Sequence, residues 1–103
     1  MKRPYRSTPV FDEKTLPAAL RGEHRTKAGV WGVIQVIEGR LMFILADGTG
    51  ETILTPDRPG LVEPEQTHRV EPVGPLLMQI HFYNELPDVT AAAAAAPQAG
   101  PRS

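Results

Sequence analysis

Gly29–Ile37 reads GVWGVIQVI, and it runs through Glu38-Gly39-Arg40 into Leu41–Ala46, LMFILA. β-branched and aromatic residues fill the first stretch, glycine and charge interrupt it, and apolar residues resume. Side chains of this kind suit the pleated surface of a sheet. The segment therefore predicts a strand, a turn at Glu38–Arg40 and a return strand.

The same texture continues toward the C-terminus. Asp47-Gly48-Thr49-Gly50 predicts a second turn and Glu51–Leu54 the next strand. Pro56–Gly60 breaks the pattern, Leu61–Val62 leads into Pro64, and His68–Val70 reads as a short strand. Pro72–Pro75 predicts another turn, and Leu76–Tyr83, LLMQIHFY, is the closing strand. Roughly four to six strands at about ten-residue spacing suggest a sandwich or a barrel. Upstream, residues 1–14 read as an extended arm that pairs with a sheet edge, and Thr15–Leu20 as one helical turn closing an end.

Composition changes at Pro87. Six consecutive alanines, Ala91–Ala96, precede PQAGPRS. Alanine is the best helix former, but so short a run does not hold an isolated helix. Residues 1–86 are thus expected to form the domain. Residues 87–103 are expected to be a disordered or partly helical Ala/Pro-rich tail, with docking on a partner as the alternative.

The chain has 103 residues, the size of one domain. It has no cysteine, which excludes disulfides, thiolate zinc sites and cysteine nucleophiles. Lysine and arginine total 11 against 12 acids, with no basic stripe interleaved with aromatics, so no nucleic-acid partner is expected. The apolar runs are too short to span a bilayer, and no apolar stretch of signal-peptide type follows Lys2 and Arg3. A soluble cytoplasmic protein without a membrane partner is the expectation. The phosphate-cradling, nucleotide-binding, zincin and nucleophile-elbow motifs are missing. Ser7 and Ser103 are the only serines and lie near the ends, so no Ser–His–Asp arrangement is expected. No catalytic residue is identified.

His24, His68 and His81 are the only histidines, each beside or within an expected strand. Imidazole is a common ligand for zinc, nickel, iron and copper, so all three are candidate metal ligands. His81 alternates with Gln79 and Tyr83, while Met78, Ile80 and Phe82 take the opposite face. If the apolar face is the core, His81 points away from it, unless a pocket is lined by the polar face. Lys27, close to His24, would repel a cation or bind an anion. Glu63 and Glu65 flank Pro64 as solvated turn carboxylates or as further contacts. Trp31 and Tyr83 read as pocket walls or ordinary core. Lys27, Glu65, Gln79, Trp31 and Tyr83 are the candidate ligand-binding residues.

Three blocks carry a family likeness. His24-Arg25-Thr26-Lys27-Ala28-Gly29-Val30-Trp31-Gly32 with Val36–Leu41 is the first, Val62–Glu71 the second and Gln79–Tyr83 the third. Together they resemble the N-terminal cupin-like domain of tellurite-resistance protein B and its small free-standing relatives, the TehB/YeaR-like family. The likeness covers about residues 5–85. It implies an all-β small cupin, a double-stranded β-helix or jelly-roll barrel with an internal pocket. It also suggests a divalent metal, zinc foremost and nickel or iron as alternatives, held by His24 and His68 with His81 or Glu65. Thr26 stands where the usual second histidine falls. The full-length relatives continue into a methyltransferase domain, whose activity is not carried over. The expected function is a metal- or small-ligand-binding module, accessory or sensor, in tellurite or oxyanion stress. The alternatives are a metal-dependent cupin oxygenase or isomerase, or a non-catalytic assembly module. The expected partners are a small molecule or oxyanion and a second copy in a homodimer.

Overall fold

In the computed structural model the chain folds as an all-β unit with one short helix among the described residues, which are 3–46, 48 and 50–87. β1 (Arg6–Ser7) and β2 (Phe11–Asp12) come first, then α1 (Ala18–Arg21), β3 (Trp31–Leu45), β4 (Glu51–Leu54), β5 (Gly60–Val62) and β6 (His68–Tyr83). All six strands belong to one sheet, and every named pairing is antiparallel.

β3 and β6 form its spine. They pair from Trp31↔Tyr83 at one end to Leu45↔His68 at the other. β5 and then β4 occupy the free edge of β3, at Gly32–Ile34 and Leu41–Ile44. β1 and β2 occupy the free edge of β6, at Phe82–His81 and Met78–Leu77. The N-terminal arm thus pairs with a sheet edge, covering backbone groups that would otherwise be open to other chains.

Two expected turns are not turns. Glu38-Gly39-Arg40 lies inside β3, and Pro72–Pro75 lies inside β6. The ladder shifts register between Val36 and Glu38 and between Gly39 and Leu41, then resumes. Gly39 has φ +85°, and a Cβ there would run into the Pro75 carbonyl oxygen. Gly74 has φ +79°. Glycine is needed at both places because each strand bulges there instead of reversing. Proline lacks an N–H for the ladder, so Pro72 and Pro75 fit beside the irregularity. The reversal after β3 does fall at 45–50, where Leu45 N–H donates to Gly50 O at 3.1 Å and Gly48 N–H to Leu45 O at 3.2 Å. Asp47 and Thr49, parts of that expected turn, lie outside the described residues, as does the expected tail from residue 88 onward.

Alternation decides what each face buries. Gly32, Ile34 and Val36 of β3 stand opposite Phe82, Ile80 and Met78 of β6. Ile34, Leu41, Leu54 and Met78 are fully buried, and Leu16, Phe11 and Leu20 from the N-terminal third join the core. Each large aliphatic side chain so buried contributes about 1.5–3 kcal/mol. Asp12 fixes the approach to α1: its Oδ1 accepts from Lys14 N–H and Thr15 N–H, both at 2.8 Å. Those two backbone bonds hold its carboxyl below the usual aspartate value. No helix among the described residues is long and apolar enough to cross a membrane.

Candidate functional site

His24 and His68 are brought together by backbone pairing. Each donates its N–H to the other's carbonyl at 2.9 Å, an isolated antiparallel bridge. Directly opposed residues of such a bridge project to the same side. The two rings accordingly lie 4.5 Å apart between centroids, tilted by 58°. Phe43 packs on His68 at 5.5 Å. His68 Nδ1 sits 3.0 Å from Gln66 O. A carbonyl only accepts, so Nδ1 carries the proton and Nε2 is left as an acceptor. Burial lowers the pKa of both rings, and His68 lowers that of His24 further.

The pair backs a small pocket of about 20 Å³, whose apolar wall includes Ile34, Val62, Ile80 and Phe82. That volume holds about one water. Thr26 closes one side, its Oγ1 donating to Val30 O at 2.8 Å. A wider mouth of about 250 Å³ adjoins it and shares His24, Thr26 and Phe82. Arg6, Arg25 and Lys27 supply its charge.

His81 belongs elsewhere. It pairs with Val33 in register, one step from Ile34↔Ile80, and therefore faces away from the pocket. Its Nε2 lies 2.6 Å from Gln35 Oε1 and its Nδ1 2.7 Å from Ser7 Oγ. The amide oxygen accepts, so Nε2 is protonated and Nδ1 accepts from the serine hydroxyl. Gln35 is buried and Ser7 lies on β1, so His81 ties the N-terminal arm to the sheet. The serine near the chain start thus does meet a histidine, with an amide in place of a carboxylate.

The same alternation removes most other expected contacts from the pocket. Trp31, Tyr83 and Gln79 lie on the His81 side of the sheet. Burial raises the Tyr83 pKa, and Gln79 Nε2 donates to Thr8 O at 2.8 Å. Glu65 is exposed on a turn at φ 61°, where its N–H donates to Thr26 O at 3.2 Å. Of the five candidate ligand-binding residues, only Lys27 lines the mouth.

The metal expectation is corrected. Among the described residues no group of three or more His, Cys, Asp or Glu could hold a metal ion. A zinc site needs about four ligands, and two imidazoles with His81 on the other face do not provide them. Arg6, Arg25 and Lys27 at the mouth would also repel a divalent cation, so nickel and iron fare no better.

A small antiparallel β unit with a histidine-backed pocket and a basic mouth is the class that fold and site define. The chain belongs to the TehB-like domain family, whose model matches residues 6–80. Over 72 residues it is 38% identical to the probable S-adenosyl-L-methionine-dependent methyltransferase TehB of Haemophilus influenzae. The same protein from a second strain is 36% identical. Each match covers 65% of this chain and 25% of the relative, so the chain spans about a quarter of the length of these curated relatives. A crystal structure of TehB from Haemophilus influenzae matches with a TM-score of 0.74 and 31% identity, covering 91% of this chain and 36% of that one. A crystal structure of an Escherichia coli K12 protein matches with a TM-score of 0.73 over 84% of this chain and 93% of that one. At 22% identity, that second likeness shows the fold alone.

The relatives' name overturns the expected function. It points to a methyltransferase-related domain, not to a metal-binding cupin or a metal-dependent oxygenase or isomerase. The cofactor named for those relatives is S-adenosyl-L-methionine, not a divalent metal. Neither the pocket nor the mouth described above fits that cofactor. Pockets for ligands of its size run to about 300–1,000 Å³. The pocket and mouth here offer about 20 and 250 Å³. The four-residue helix among them builds no strand–loop–helix cradle for a nucleoside.

Proposed function

We propose that this chain is the accessory β domain of a TehB-type, S-adenosyl-L-methionine-dependent methyltransferase system. The single observation that carries this is the 38% identity to a methyltransferase of which the chain covers only a quarter. In this reading the cofactor is held by the part of the system that the match does not reach. The domain contributes a rigid sheet, its basic mouth and its small pocket beside the methyl-transfer centre. We also infer a jelly-roll curl for the sheet, supported by matched bulges at Gly39 and Gly74 that bend its two spine strands together.

A chimera tests the reading. The matched stretch of Haemophilus influenzae TehB is replaced by residues 6–80 of this chain, and methyl transfer from S-adenosyl-L-methionine is followed. The chimera is expected to retain transfer, while the present chain alone binds no cofactor by calorimetry. A folded but inactive chimera, or stoichiometric cofactor binding by the chain alone, overturns it.

A further inference from the structure

We propose that the basic mouth beside His24 is a binding site for a small dianionic oxyanion of the phosphate type. Three cations line it, Arg6 from β1 and Arg25 and Lys27 from the segment before β3, and no carboxylate is among its lining residues. The charges come from residues almost twenty positions apart in sequence, so the fold, not a local run, assembles them.

Backbone pairing and a ring contact set their placement. Arg6 pairs in register with Phe82, and its guanidinium lies 5.4 Å from the centre of that ring. This contact keeps the guanidinium beside Phe82, which lines the same mouth. Arg25 and Lys27 flank Thr26. The backbone between them is anchored by the His24–His68 bridge on one side and by Glu65 N–H donating to Thr26 O on the other. The described residues pair Arg21 and Arg69 with Glu71, but show no ion pair for Arg6, Arg25 or Lys27. An anion seated in the mouth would meet positive charge from two separate segments of the chain.

The space sets the size of the occupant. At about 250 Å³ the mouth takes an inorganic oxyanion with room beside it, walled by Phe82 and Val30. The inner pocket, at about 20 Å³, admits nothing larger than a water. The charged group therefore sits in the mouth. The same chemistry is offered by free phosphate and by a small phosphate monoester whose apolar part rests on Phe82.

The full chain is titrated with inorganic phosphate and, separately, with phenyl phosphate, at constant ionic strength set with chloride, and amide shifts are followed by NMR. Saturable shifts at residues 24–27 and 82 with phosphate support the site for the free ion. Saturation with phenyl phosphate alone supports it for a monoester. The double variant Arg25→Gln/Lys27→Gln, both exposed side chains, is expected to bind at least about tenfold more weakly. Lys14→Gln, a remote exposed lysine, is expected to bind as the parent does. Loss of saturation for both ligands in the parent, or unchanged affinity in the double variant, overturns the proposal.

Discussion

The two faces of the β3–β6 spine use histidine in opposite ways. On one face the tilted rings of His24 and His68 lie side by side at a pocket walled by Ile34, Ile80 and Phe82. On the other, His81 is held at both ring nitrogens, by Ser7 and Gln35. The first arrangement leaves an acceptor nitrogen at a pocket. The second uses both nitrogens to fasten an arm. Residue type alone does not separate a pocket histidine from a structural one. The face of the strand does, and so do the groups that satisfy its nitrogens.

The contrast can be broken one face at a time. Ile34→Ala removes a fully buried side chain from the pocket face, and a loss of about 2–5 kcal/mol is expected from denaturant unfolding. Gln35→Ala on the opposite face strips His81 Nε2–H of its acceptor. The expected loss is about 1–3 kcal/mol, the penalty of an unsatisfied polar group. An unfolding midpoint unchanged by Gln35→Ala would show that the His81 network holds nothing.

Acid acts on both faces, more sharply on the pocket side. Burial holds all three imidazoles below their ordinary value of 6.5, so the folded state favours the neutral rings. The unfolded chain then binds more protons once the pH drops below that value. This contribution is complete above about pH 6.5 and is lost as the pH falls through the lowered folded values. His24 carries a second cause, repulsion from His68. His24→Gln is therefore expected to make the decline of stability between pH 6.5 and lower pH shallower, as followed by thermal melts. A decline as steep as the parent's would remove the coupling from the account. The smallest effect is expected from Ser7→Ala, about 0.5–1.5 kcal/mol, with faster proteolysis of the arm.

Much of this was legible in the sequence. The alternation in Leu76–Tyr83 separates Ile80 from His81, and it places His81 away from the apolar face, as the structure does. The blocks around His24 and His68 carry the family. Proline and glycine, however, mark a bulge as readily as a turn. Only the long-range ladder shows that the chain continues through Gly39 and Gly74 instead of reversing. The arm's contacts were also hidden. Ser7 meets His81 across 74 positions, and Arg6 reaches Phe82 by the same pairing. Lys27 close to His24 was the visible hint of an anion-binding mouth, but Arg6 comes from an element with no periodic signal of its own.

Histidine side-chain NMR on the ¹⁵N-labelled protein at neutral pH tests the two-face account most directly. Long-range proton–nitrogen correlations should show His68 with its proton on Nδ1 and His81 with its proton on Nε2, both neutral. The same tautomer at both positions, or a charged ring at either, would contradict it.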